Sequence, residues 1–231
     1  LEEIAGGVEG IVGVAPLAGG SPPASVEVVA EMGDGRTLVG TVPDVAGDEV
    51  RSVFYSRVAA KHRLAAWVRL LAATAAYPER PFTAVTVGRG QGKGKVSVTR
   101  IPALGPDPPA RRAAALAGLA VLLDLHRQGL SEPLPLYCRT SGAYATAMAL
   151  GRDGLFAARK EWTTDWDFTQ EDDEPEHRLV LGDRVALERL FDAAPREDEG
   201  GPGWPEGEPS RFGRYARRLW DPLLAVEVRS P

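Results

Sequence analysis

The chain has 231 residues, 44% of them hydrophobic and 26% charged, an ordinary globular composition that excludes global disorder. No apolar run approaches the ~20 residues that a membrane-crossing helix needs, so no membrane partner is expected. The formal charge of -5, from 27 basic and 32 acidic residues, excludes a binder of nucleic acid over its whole surface and leaves room only for local basic faces.

Residues 1–24, rich in Gly, Pro and Ala, read as an irregular lead-in to a single domain over residues 25–231, with Ile11, Val12 and Val14 able to dock. The start on Leu1, with neither an initiator methionine nor a charged-then-apolar leader, reads as a piece cut from a longer polypeptide. From residue 25 Val26, Val28 and Ala30 alternate with their neighbours, and Asp34-Gly35 supplies turn chemistry before a second strand at 38–42. Gly47-Asp48 turns the chain into a third strand at 49–55. Ser56 stands where a helix N-cap belongs, and Leu64, Trp67, Val68, Leu71 and Ala75 recur at helical spacing, which predicts a helix over 57–76. Pro78 and Pro81 end it.

A second hairpin is predicted at 83–87 and 96–101, joined by the glycine-rich basic loop 88–95. A helix follows at 109–128, with Gly129 as its stop, then a short buried strand at 133–137 and an alanine-rich helix at 141–150. Residues 161–176 carry eight acids and no base, and 197–208 are acidic and rich in Gly and Pro, so both read as solvated loops. Between them Asp183 is placed to cap a helix bearing Leu187, Leu190 and Phe191. A basic amphipathic helix over 210–224, with Phe212, Tyr215 and Leu219 on its apolar side, closes the chain near Pro222. Meandering strands followed by a helix and more strands predict an α/β or α+β sheet flanked by helices.

Chemistry-bearing residues are sparse. The loop 88–94 has the glycines of a phosphate cradle but lacks the Gly-Lys-Ser/Thr ending, and a strand follows it rather than a helix. No acid occurs between Arg80 and Gly105, so Arg89, Lys93, Lys95 and Arg100 are the candidate contacts to a nucleic-acid backbone; a solvated hairpin tip is the plain alternative. Arg57, Lys61, His62 and Arg63 crowd the start of the first long helix, where the helix dipole disfavours cations, so Arg57, Lys61 and Arg63 are candidate docking residues. Arg214 and Arg218, which share a face one turn apart on the last helix, are further docking candidates, with plain surface as the alternative. The single Cys138 excludes an internal disulfide and fits a reducing, cytoplasmic setting; it reads as a buried apolar residue rather than a nucleophile. His62, His126 and His177 have no metal-ligand spacing, and Asp165, Asp167, Glu171, Asp172 and Asp173 lack the glycine and terminal glutamate of a calcium loop. No metal or other cofactor is expected.

Three segments taken together resemble one family. They are residues 56–71, which read SRVAAKHRLAAWVRLL; Pro133-Leu134-Pro135-Leu136-Tyr137 leading to Ser141-Gly142-Ala143-Tyr144; and Arg211-Phe212 with the closing residues 219–224, LWDPLL. Their succession is similar to the C-terminal region of RecC, the gamma subunit of the RecBCD helicase-nuclease (exodeoxyribonuclease V), from about residue 36 to the end. The resemblance implies a PD-(D/E)XK nuclease-like mixed sheet flanked by helices, with a degenerate active site. Where that fold carries its catalytic acids and lysine, this chain has Pro43, with Asp44 one place late, and then Phe54 and Ser56, which leaves the metal-binding acids missing or displaced. It further implies a domain without catalysis of its own inside a complex with ATP-dependent helicase and exonuclease activity. The RecB and RecD subunits and double-stranded or forked DNA are the implied partners, and DNA repair and recombination the implied setting. The enzyme alternative is a shifted nuclease site using Asp44 with Asp48 or Glu49; a third is a docking module that touches no DNA.

Overall fold

The structure is a computed structural model that describes residues 8–11, 13, 22–90, 95–164 and 169–230. It is a mixed α/β protein whose chain divides into two compact units, one running to Ala120 and resuming at Val226, the other covering Val121–Ala225.

The first unit is a six-stranded mixed sheet in the order β1 (Ala24–Glu31), β2 (Thr37–Ala46), β3 (Glu49–Arg57), β4 (Thr83–Arg89), β5 (Val96–Ile101) and β6 (Val228–Ser230). The first three strands form the predicted antiparallel meander. Its turns fall where Gly35 and Gly47 take positive φ, and at Gly47-Asp48 only two residues separate the paired Ala46 and Glu49. Such a tight turn needs left-handed backbone that a Cβ disfavours. β4 lies parallel to β3, which requires a crossover, and helix α1 (Ala60–Ala76) supplies it. α1 packs against β1, β3 and β4, and Trp67, Leu70, Leu71 and Ala73 are buried on it. On the opposite face Ile11 packs on Val85, Val87 and Val98; Val12 and Val14 lie outside the described residues.

Ser56 is not the helix cap predicted for it. β3 continues through Arg57, which pairs with Arg89 of β4, and the ladder takes the residues that the capping reading assigned to the helix. The helix begins at Ala60 after Ala59, whose N–H donates to His62 Nδ1 at 3.1 Å. A histidine at the third helical position thus plays the part that Glu or Gln plays in a capping box.

Helix α2 (Pro108–Ser131) begins in the first unit, where Gly118 sits against Leu71, and continues into the second. It runs past Gly129, the predicted stop. The second unit holds α3 (Cys138–Ala149), α4 (Gly154–Trp162), α5 (Pro175–Leu181) and α6 (Arg211–Leu224), with 3-10 turns at Glu171–Asp173 and Leu187–Phe191. Its core gathers Tyr137, Tyr144, Trp162, Leu187, Leu190 and Phe212.

Three expectations change here. Residues 133–137 form no strand: Pro133 and Pro135 have no N–H to donate to a ladder, although Tyr137 is buried as expected. Asp183 does not cap the helix predicted after it; it pairs with Arg178, and Leu187–Phe191 is a 3-10 turn entered through Ala186. The acidic stretches are not simply solvated, because Glu171, Asp172, Glu199 and Glu208 are buried.

Candidate nucleic-acid interface

β3 sends alternate side chains to opposite faces of the sheet. Ser52 accepts a hydrogen bond from Arg69 of α1 at 3.0 Å, and Phe54 stacks on His62 of α1, with ring centroids 4.2 Å apart. The face away from α1 therefore receives Arg51, Val53, Tyr55 and Arg57. Burial, followed by the charge of Lys61, holds the His62 imidazole below its usual range, which suits a ring nitrogen that accepts a backbone N–H.

At the far end of β3 the ladder to β4 is irregular: Val53 pairs with Val87 and Arg57 with Arg89, so β3 spends two extra residues there. Gly88 makes this close approach feasible, since a Cβ on it would stand 2.7 Å from the Ser56 carbonyl oxygen. The result sets Arg57 and Arg89 side by side. The Arg89 guanidinium lies 5.5 Å from the Tyr55 ring centroid, and all three side chains are exposed. Lys95, also exposed, closes the hairpin by accepting from Gly90 N–H at 2.8 Å. Lys93 lies outside the described residues.

Arg100 is set apart from this group. It pairs with Val85, four residues from Arg89 along β4, or ~13 Å at strand spacing. Its Nη1 is 3.9 Å from Glu49, whose carboxylate also accepts from Arg51 at 2.8 Å. Arg80, at the start of the acid-free segment, is tied to Asp48 at 2.8 Å and lies over the Phe82 ring.

The docking candidates separate in the same way. Lys61 and Arg57 are exposed. Arg63 turns inward, with its Nε and Nη2 donating to the two oxygens of Glu227 at 2.8 and 2.6 Å, so helix α1 holds the segment that leads into β6. Arg214 donates to the carbonyl oxygens of Glu199 and Glu208. Arg218 pairs with Asp124 at 2.8 Å and lies 3.9 Å over the Trp204 ring. Each of the last three is engaged by groups of its own unit.

Asp44 is exposed with φ of 58°, opposite the register shift between Ala24 and Val26. Its two proposed partners in a shifted metal site are both bound to arginine, Asp48 to Arg80 and Glu49 to Arg51. Among the described residues no group of three or more His, Cys, Asp or Glu side chains is arranged to hold a metal ion. Glu171 instead accepts from the backbone of Arg139 and Thr140, and Asp173 pairs with Arg178; Asp165 and Asp167 lie outside the described residues. His177 Nδ1 donates to the Glu171 carbonyl oxygen at 2.6 Å and packs against Tyr137. Cys138 is half-buried at the start of α3. Among the described residues no helix is long and apolar enough to cross a membrane.

A side chain that sequence reasoning passed over is Tyr55. The strand was legible to Tyr55, with Val53 and Tyr55 on one face, but Arg57 was assigned to the following helix, and the neighbour of the ring, Arg89, comes from a strand that pairs only through the crossover.

Comparison with known proteins adds the following. The family model described as the RecC C-terminal domain matches residues 1–149. Two proteins of Mycobacterium tuberculosis, from strains CDC 1551 / Oshkosh and H37Rv, each named RecBCD enzyme subunit RecC, are 39% identical to the chain over 201 residues, which is 87% of this chain and 17% of theirs. A protein of the same name from Mycolicibacterium smegmatis is 38% identical over 202 residues, with the same coverage. The chain thus spans 17% of the length of these curated relatives.

Proposed function

The chain belongs to the RecC C-terminal domain family, and from that membership and the geometry of the sheet we propose that it is a noncatalytic, DNA-handling and subunit-docking part of a RecBCD complex. In this reading the sheet is a PD-(D/E)XK-like core that has lost its chemistry. The antiparallel meander β1-β2-β3, the helical crossover and the parallel β4 favour that core. The stack of Phe54 on His62 occupies the stretch of β3 where such a nuclease needs an acid and a lysine. RecB and RecD are the proposed partners, and the proposed role is to help part the strands of duplex or forked DNA during double-strand-break repair and recombination.

The observation that carries the DNA-handling part is the pair Arg57 and Arg89, adjacent in register, exposed, and without a carboxylate in ion-pair range among the described residues. With Lys95 they give one end of the sheet a positive charge suited to phosphates. Arg100, distant and partly engaged by Glu49, is a weaker member of that set. Lys61 remains the exposed docking candidate, while the inward bonds of Arg63, Arg214 and Arg218 suit them to holding the units themselves.

The test is charge reversal, Lys93→Glu with Lys95→Glu, in the full-length subunit assembled with RecB and RecD. Slower unwinding and a shallower salt dependence of DNA binding are expected. Unchanged unwinding with intact assembly would favour a docking module that touches no DNA. Cleavage of end-labelled forked duplex by the chain itself with Mg²⁺ or Mn²⁺, abolished by Asp44→Ala, would overturn the noncatalytic reading.

A further inference from the structure

We propose that the outer end of β3 and β4 is a stacking platform for an unpaired base, with Tyr55 as its floor and Arg57 and Arg89 as clamps on the flanking phosphates of a single strand. The proposal rests on the DNA-contact reading above and narrows it to a strand form and to a residue that reading does not use.

Tyr55 and Val53 are 42% and 44% exposed although they lie within a strand of the central sheet, while Phe54 between them is taken up by its stack on His62. Two large apolar side chains left in water on one face of a strand are unsatisfied surface. They lie beside two guanidiniums that no carboxylate among the described residues neutralises. Like charges in register repel each other, so the arrangement is stabilised by an anion that bridges them. From Arg80 to Gly105 the chain supplies no acid to serve as that anion.

The chemistry of the occupant follows from these two needs taken together. An acidic peptide satisfies the arginines but leaves Tyr55 and Val53 in water. A duplex offers its phosphates to the arginines but keeps its bases stacked inside. A single strand offers both an anionic backbone and free aromatic faces, and an aromatic beside arginines is the combination by which proteins hold single strands without reading sequence. The Arg89 guanidinium, 5.5 Å from the Tyr55 ring centroid, adds a cation to that surface.

The experiment uses the 231-residue chain and fluorescence anisotropy with two probes, a labelled 20-nucleotide oligo-dT and a duplex of the same length, at graded salt. Tyr55→Ala is expected to weaken oligo-dT binding about tenfold or more and duplex binding less than twofold, while Tyr55→Phe keeps both within about twofold. Arg57→Gln with Arg89→Gln is expected to flatten the log–log salt dependence for oligo-dT by about 1.4, two phosphate contacts at ~0.7 each. Because Tyr55 is exposed, its variants are expected to melt with the parent, and the arginine pair gives a second readout if they do not. Equal losses for both probes on Tyr55→Ala, or no loss, would overturn the platform while leaving the DNA-contact reading in place. If the unaltered chain binds neither probe at low salt, both readings fall. Displacement of oligo-dT by polyglutamate that is insensitive to Tyr55→Ala would assign the cationic pair to an acidic protein segment instead.

Discussion

Glu171 gives the sharpest stability prediction. Helix α3 starts after Tyr137, whose side chain offers no cap, and the Ser141 N–H is the first to find a partner in the chain's own backbone, at the Tyr137 carbonyl. Of the orphan donors before it, Arg139 N–H and Thr140 N–H are taken by the two carboxylate oxygens of Glu171 at 2.7 and 2.6 Å. Glu171 is only 2% exposed, and its negative charge sits at the positive end of the helix dipole. Glu171→Ala removes two charge-assisted bonds and leaves one amide part-buried and the other buried without a carboxylate, a loss of about 4 kcal/mol. Glu171→Gln keeps one acceptor oxygen but turns an NH₂ group toward the other amide, for about 2 kcal/mol. Hydrogen exchange reads this locally: in the alanine variant the amides of Arg139 and Thr140 are expected to lose about three decades of protection, and about half that in the glutamine variant. Urea unfolding of the second unit is expected to shift in the same order. Protection unchanged at both amides in the alanine variant would refute the claim that this carboxylate caps the helix.

Three further predictions follow from individual contacts. Burial alone pushes the Glu227 carboxyl up, but the hydrogen bonds and charge of Arg63, with Arg229, outweigh it and hold the group below its usual 4.5. Its stabilisation is therefore present above that pH and is lost as pH falls through the lower folded value, so the deficit of Glu227→Gln, about 3 kcal/mol at pH 7, is expected to shrink in melts at pH below 4.5. Gly142→Ala places a Cβ 2.8 Å from the fully buried Trp220 ring, which has nowhere to move; a loss of about 1–3 kcal/mol in urea unfolding is expected. Gly88→Ala drives its Cβ against the Ser56 carbonyl oxygen at 2.7 Å, so a similar loss is expected together with weaker oligo-dT binding, because the register that aligns Arg57 with Arg89 depends on that approach.

Much of the first unit was legible because its signals are local. Alternation in β1, the Asp34-Gly35 and Gly47-Asp48 turns and the apolar spacing of α1 each act within a few residues, and the sheet forms as they indicate. The acidic stretches were misread because composition reports only average solvation. The partners that bury Glu199 and Glu208 come from elsewhere in sequence: Arg211 holds Glu199, and Tyr144, 64 residues away, donates to Glu208 at 2.9 Å. In the candidate site, Arg89 and Lys95 were found from charge alone, but the place of Arg57 beside Arg89 depends on a parallel pairing that only the α1 crossover brings about.

The same pairing explains how an acidic protein comes to have a cationic end. Arg63 is drawn inward by Glu227, Arg80 by Asp48, Arg211 by Glu199 and Glu132, and Arg218 by Asp124. A guanidinium so engaged has little field left to offer a phosphate, because its donors are used and its charge is cancelled at contact distance. At the joined ends of β3 and β4 the sequence places no acid on the β4–β5 hairpin, and the register brings a second arginine to the first. The net charge of the chain therefore says little about its partner. What matters is where neutralisation fails, and among the described residues Arg57 and Arg89 at the edge of an exposed tyrosine are such a place.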